Sequence, residues 1–301
     1  MQKMIAVHLK VDPTFNAPPP DPITLAKCQI VLIRHAVTEF NMEFARVVQA
    51  HGIQSDEYRQ LKIRKDLIDP QLRPEGVGQC EAAQSHANDI NVKIVFVSPM
   101  IRTCETAIHI FKGHPNKKNI KFIILPSAKE GLNLCNDKQG TYARLRRIID
   151  PLLKDAELEF DFSLMFSAFG LPDLAQVNVS VDIARFQEMY RYIDHLEELH
   201  PEFGYSEHLL KLAYEKFPYR MEDPFKLWER GLQLRKFLNQ YLKTHTLTID
   251  EKVVIVSHSA FLTSLSSAGY DHEKKDLIEP EHMHNCQFIP WQTYELNQKE
   301  E

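Results

Sequence analysis

Hydrophobic and polar positions along the chain fall into short, almost wholly apolar runs separated by longer stretches with helical periodicity. Five runs read as buried strands: "QIVLI" (29–33), "KIVFV" (93–97), "KFIIL" (121–125), "KVVIV" (252–256) and "CQFIPW" (286–291). Each is short, rich in Val, Ile and Phe, and bounded by polar residues, as a strand covered on both faces requires. Between them, "RPEGVGQCEAAQSHANDI" (73–90) has Pro74 at a first-turn position and Glu75 near the positive helix end. The stretch 223–245 sets Leu227, Leu234, Phe237, Leu238 and Tyr241 at helical spacings, an amphipathic face. Strands alternating with helices predict an α/β layer fold with a mainly parallel central sheet flanked by helices.

Two segments depart from that rhythm. "NAPPPDP" (16–22) closes a proline-stiffened lead-in, and residues 1–28 are expected to be an extension. Residues 29–296 are expected to form one domain. Within it, about 131–222 is long, rich in Phe and Leu and punctuated by Pro, and reads as a helical insertion or cap over one sheet edge.

Composition narrows the function classes. The 301 residues carry a net charge of −5, so no global field attracts nucleic acid or an anionic membrane. No stretch approaches the length of an apolar membrane span, and no signal-length apolar run opens the chain. The five Cys are odd in number and scattered, which does not make a disulfide framework; a reducing, cytoplasmic setting is expected. Any anion site must therefore be a local cluster of cations. Oligomeric state is not legible.

The residues just past each apolar run supply that cluster. Ligands of open α/β sheets sit beyond the carboxyl ends of the strands. After "QIVLI" comes Arg34-His35; after "KIVFV" comes Ser98, then Arg102 in the first turns of a helix; after "KFIIL" comes "PSAKE" with Glu130; after "KVVIV" comes Ser257-His258-Ser259. One His or Arg at a strand end is ordinary surface. Four parallel strands delivering two His, two Arg and a carboxylate to one rim suit a phosphate monoester instead. A guanidinium fork matches phosphate oxygens in pairs, and a neutral imidazole can attack phosphorus while its other nitrogen donates to a fixed acceptor. A carboxylic acid such as Glu130 can protonate the leaving oxygen. Such a set needs no metal or cofactor.

Three other signals compete and fall short. Cys28 to Arg34 has the C-x5-R spacing of a phosphate-cradling loop, but the intervening residues read as a strand. "EHMHNC" sets His282, His284 and Cys286 at alternate positions, a possible metal set without a fourth ligand nearby. "ARLRRII" clusters Arg144, Arg146 and Arg147, which fits a solvated helix face better than a grip on an acidic substrate. The aromatics of 160–169 are expected to pack the insertion.

Five motifs in order across 29–291 resemble the histidine phosphatase superfamily, on its phosphoglycerate mutase-like branch. "LIRHAVTEFN" is similar to its R-H-G-x-T-x-x-N signature; "DPQLRPEGVGQCEAA", "VFVSPMIRTCETA", "VVIVSHSAFL" and "HNCQF" resemble the segments that come after it. The resemblance implies that His35 is the nucleophile, that Arg34, Arg102 and His258 bind phosphate with help from Asn41 and the Ser259 N–H, and that Glu130 donates the proton. Glu39 and Asp137 are the fallback acids. Departures are Ala36 for Gly, Ser259-Ala260 for Gly-Gly, and Arg73 for a capping Thr. The implied activity is metal-independent hydrolysis of phosphomonoesters through a phosphohistidine, on a small phosphorylated substrate or a phosphoprotein. Phosphoglycerate mutase-type phosphotransfer and a catalytically silent phosphate-ligand binder of the same fold are the alternatives.

Overall fold

The computed structural model describes residues 14–131, 134–165 and 222–292, with a few positions between 192 and 216. The apolar runs are strands, and the sequence periodicities fall on them as expected. In chain order the strands are β1 (Ile30–Arg34), β2 (Val92–Val97), β3 (Lys121–Ile124), β4 (Phe160–Asp161), β5 (Lys252–Ser257), β6 (Gly269–Asp271), β7 (Asp276–Ile278) and β8 (Phe288–Trp291). Six of them form one sheet in the order β4-β3-β2-β5-β1-β8, and β6 pairs with β7 as a separate antiparallel ribbon. All pairings in the main sheet are parallel except β8 against β1.

The helices are α1 (Pro22–Lys27), α2 (Glu39–His51), α3 (Asp56–Leu61), α4 (Pro74–Asn88), α5 (Ile101–Phe111), α6 (Tyr142–Ala156), α7 (Pro224–Thr244) and α8 (Ser259–Ser266). They cover both faces, and the period of two within the strands sorts the residues between them. Val31, Ile33, Val95, Val97, Val254 and Val256 pack with Ala83 and Ala87 of α4, Cys104 and Ala107 of α5, and Leu145 and Ile149 of α6. Ile30, Leu32, Ile94, Phe96, Val253 and Ile255 face Leu234, Phe237 and Leu238 of α7 and Phe261, Leu262 and Leu265 of α8. Each fully buried Val, Ile, Leu or Phe among them contributes about 1.5–3 kcal/mol by leaving water. Two-sided burial explains why these strands are apolar at every position rather than alternately. Among the described residues, no helix is long and apolar enough to cross a membrane.

Several local expectations shift. The last strand begins at Phe288, because Cys286 adopts a left-handed backbone (φ 55°) that breaks the extended run, and it lies antiparallel at the sheet edge. The lead-in is not extended throughout: Pro22 opens α1, with Asp21 as its N-cap. Arg73 precedes α4 and makes no side-chain cap bond. It instead pairs with Glu39 and Glu75. Of the expected insertion, α6 packs on α5 and β4 extends the sheet beside β3. Phe122 stacks on Phe160, and Phe162 meets Tyr142 edge-on. Most of the remainder, residues 166–191 above all, lies outside the described residues.

Gly76 in the first turn of α4 marks the closest approach between that helix and the loop after β1. A Cβ there would lie 2.2 Å from the Val37 carbonyl oxygen, which accepts from Arg73 N. Gly76→Ala is therefore expected to lower stability by about 1–3 kcal/mol, as overpacking does. A denaturant titration of the variant against the parent chain checks this.

Candidate active site

Parallel registration brings the strand ends together. Arg34 is paired with Ser257, and His35 N donates to Ser257 O at 2.9 Å. Ser98, beyond β2, donates its N–H to Val256 O. His35 and His258 consequently sit at the ends of neighbouring strands, and their ring centroids lie 5.2 Å apart at 60°. One tetrahedral anion can reach both rings at that separation, since each hydrogen bond spans about 2.8 Å.

His35 Nδ1 is 2.7 Å from Ala36 O. A carbonyl only accepts, so the proton of the neutral ring sits on Nδ1 and Nε2 keeps the lone pair. His258 is fixed in the opposite sense. Arg102 Nε donates to its Nδ1 at 3.2 Å, so the ring proton is on Nε2, which donates to Ser98 Oγ at 2.7 Å. Burial first, then the Arg102 cation and the neighbouring His35 ring, hold His258 well below the usual imidazole range.

The two arginines are wired to backbone but not saturated. Arg34 Nη1 donates to Met283 O, and Arg102 Nη1 donates to Asn136 O. Arg34 Nε and Arg102 Nη2 are buried without a hydrogen-bond partner among the described residues; Arg102 Nη2 stands 3.7 Å from Asp137 Oδ1. A buried unsatisfied donor costs about 1–3 kcal/mol, so these N–H groups call for an acceptor. Arg34, His35, Arg102 and His258 are respectively 1, 4, 1 and 0% exposed, which strengthens any charge interaction made there. Burial lowers Arg34 to about 10 against the pull of the Glu130 carboxylate, leaving it cationic at neutral pH.

The other expected residues are distributed around this core. Glu130 is buried, and its Oε1 accepts from Gly131 N and Phe261 N while Oε2 accepts from Ala260 N. It thus caps the start of α8 and leaves the Ser259 N–H at that helix end; the Ser259 hydroxyl oxygen is buried and unpartnered. Asn41 is buried inside the α2 cap, where its Oδ1 accepts from Thr38 N and Thr38 Oγ1. Of the fallback acids, Asp137 accepts from Leu134 N and lies near Arg102. Glu39 is about half exposed and lines a separate cleft of about 450 Å³ with Arg73 and Arg144.

Residues that the strand-end pattern does not single out hold the backbone of His35 and the two residues after it in place. Asn285 Nδ2 donates to His35 O, Ala36 N to Thr106 Oγ1, and Val37 N to Gln79 Oε1. All three supports stand inside the five motifs, so the signal was present as motif membership. Lys129 is another residue the pattern misses. It is buried beside the site, where desolvation lowers it to about 7 in the field of Asp69, Arg230, Glu222 and Arg102.

The competing motifs resolve differently. Cys28 to Arg34 runs into β1, so its backbone N–H groups serve the sheet. His284 stacks on Phe15 while Cys286 Sγ faces Cys80 Sγ at 3.7 Å, so "EHMHNC" does not converge on a point. No group of three or more metal-type side chains occurs among the described residues. Arg144 Nη1 donates to Asp69 O, and Arg146 pairs with Asp150 and Tyr142. All five cysteines are free and buried.

Two linked outcomes are expected from these contacts. Inorganic phosphate or vanadate at about 100 times its Kd should stabilise the fold by about 2.7 kcal/mol. Because His258 is depressed when folded, the unfolded chain takes up its proton first. Its contribution is intact above the ordinary value of 6.5 and is lost as pH falls below it. Thermal melts from pH 8 to 5 should show a smaller acid loss for His258→Asn than for the parent chain.

Comparison with known proteins reaches the same region. Residues 30–130 match the model of the histidine phosphatase superfamily (branch 1). Phosphoglycerate mutase-like protein 2 of Arabidopsis thaliana is 24% identical over 269 residues, spanning 82% of this chain and 68% of its own. Among solved structures, the α-ribazole phosphatase of Shigella flexneri is 14% identical, with TM-score 0.38 over 78% of this chain and 75% of that one. A mycobacterial glucosyl-3-phosphoglycerate phosphatase is 14% identical, with TM-score 0.39 over 79% and 77%.

Proposed function

We propose that this protein, whose residues 30–130 match the model of the histidine phosphatase superfamily (branch 1), is a metal-independent phosphatase that hydrolyses phosphomonoesters through a phosphohistidine. The observation that carries the reading is the pairing of two facing imidazoles with two buried, unsatisfied guanidinium donors.

In this reading His35 Nε2 attacks phosphorus in line with the leaving oxygen, while Nδ1–H keeps its bond to Ala36 O. Arg34 Nε, Arg102 Nη2 and the Ser259 N–H take the equatorial oxygens. His258 stays neutral and binds through Nε2–H, which exchanges Ser98 Oγ for a phosphate oxygen while Nδ1 keeps its bond from Arg102. As the phosphorus–oxygen bond breaks, the leaving oxygen takes a proton from Glu130. Oε2 is the oxygen that can carry it, because Oε1 already serves two amides. Water then attacks the phosphohistidine, Glu130 accepts its proton, and phosphate leaves with His35 restored. Asn41 acts through the α2 cap, fixing the loop after His35. Residues 29–296 act as one unit in this reading, with 1–28 as an extension. The substrate is a small phosphorylated molecule or a phosphoprotein.

The second reading, mutase-type phosphotransfer, draws on the near-complete burial of the four core residues and on the buried Lys129 amine beside them. An aryl phosphate assayed in EDTA separates them. Free phosphate released at an undiminished rate supports hydrolysis. Label exchange between phosphoglycerate isomers with little free phosphate supports the mutase, and phosphate binding without turnover supports a silent binder.

A further inference from the structure

Arg230 lies on α7, far from the strand-end motifs in sequence, yet its guanidinium is almost fully buried behind the loop that carries Glu130. All five of its N–H groups are used. Nε and Nη2 grip the two carboxylate oxygens of Glu222 at 3.0 and 2.7 Å. Nη1 donates to Ser127 O at 2.8 Å and to Lys129 O at 2.7 Å, and Nη2 donates also to Glu130 O at 3.2 Å. Ser257 Oγ donates to the remaining carbonyl of the loop, Ala128 O, at 2.6 Å. Four consecutive carbonyls are thereby tied, three of them to one side chain. The same guanidinium lies over the Phe261 ring, 4.6 Å from its centroid, and Phe261 N is one of the amides that hold the Glu130 carboxylate.

A buried ion pair is a poor source of stability, because desolvating both charges offsets most of their attraction. What this one does is fix a backbone. The connection from β3 to Gly131 has a single 3-10 turn, Pro126–Ala128, whose backbone bonds end at Lys129 N and leave the angle at which Glu130 departs to side-chain clamps. We propose that Arg230, oriented by Glu222, is a positioning residue that sets the Glu130 carboxyl against the leaving oxygen. The inference rests on the phosphatase reading and extends it to two residues that never touch substrate. Charge alone does not define the role: the planar fork reaches three carbonyls at once, which a lysine ammonium cannot reproduce.

The test exploits the dependence of acid catalysis on the leaving group. An aryl phosphate departs readily as its anion, whereas an alkyl phosphate such as glycerol phosphate needs the proton. The ratio of kcat/KM values for the two substrates is measured in the parent protein, Arg230→Met, Arg230→Lys, Glu222→Gln and Glu130→Gln. Arg230→Met is expected to lose about 10–100 times more on the alkyl than on the aryl substrate. Arg230→Lys and Glu222→Gln should shift the ratio the same way by less, and so keep the test open if the methionine variant does not fold. Glu130→Gln should shift it at least as far, and Arg230→Met added to it should shift it no further. Equal losses on both substrates in every Arg230 and Glu222 variant, with the ratio still moved by Glu130→Gln, overturn the positioning role alone. A ratio unmoved by Glu130→Gln overturns the proton-donor assignment and this inference with it. Parent protein that turns over neither substrate overturns the phosphatase reading beneath both.

Discussion

His35→Ala is expected to lower kcat by at least about 10⁴-fold, the largest effect of any single substitution in the chain. His258 cannot replace it: its Nδ1 accepts from Arg102 and its Nε2 faces Ser98. The loss should fall on kcat rather than on phosphate binding, because Arg34, Arg102 and the Ser259 N–H remain. Folding should survive, since the strand ladder and the bonds from Asn285 and Thr106 are to backbone atoms of 35 and 36. Rapid quenching of the parent protein with labelled substrate should trap a phosphoryl group that is stable to base and lost in acid, as a phosphoramidate is. Label that persists in His35→Ala, or turnover within tenfold of the parent, would remove His35 from the reaction.

Arg102→Ala is expected to lower kcat/KM by about 10³-fold. Arg102 contributes a buried donor with no hydrogen-bond partner, and it also orients His258 through Nδ1 and anchors segment 134–137 through Asn136 O. Arg102→Lys restores charge without the fork and should recover only about tenfold of the loss. A second readout separates charge from geometry. Arg102 is the cation that weighs most, after burial, in holding His258 down. Its removal should therefore move the His258 titration upward toward 6.5. Imidazole resonances monitored by NMR through acid pH check the direction; no movement would mean that burial alone governs that ring.

The parts of this site that could be read without coordinates share a property: each is encoded within a few residues of a fully buried run. Arg34, His35 and His258 stand at or just beyond the ends of β1 and β5, and Arg102 stands in the first turn of α5. A strand covered on both faces writes itself as an unbroken apolar string, and the first polar residues after it must lie at the rim. That local rule also located Glu130, though not which of its oxygens is occupied. Helix α2 was invisible for the opposite reason. Its start, Thr38 to Asn41, serves both as cap and as motif, and the motif masks the cap.

Direction, burial of charge and long-range support belong to the other class. Pro290 in "CQFIPW" suits an edge strand, because it has no N–H for a second neighbour, but nothing in the run tells whether that strand lies parallel or antiparallel, as β8 does. Lys129 and Arg230 look like surface cations in one dimension. Their burial depends on Asp69, Glu222 and the carbonyls of loop 127–130, some of them a hundred residues away. The amino-acid string by itself determined the layered α/β architecture and the four side chains gathered at one rim, since apolar runs and the residues after them are local facts. Tertiary structure alone decided which ring nitrogen is protonated, which donors are left unsatisfied and which loop is clamped. Those depend on atoms a few ångströms apart in space and far apart along the chain, where Coulomb and hydrogen-bond energies are set.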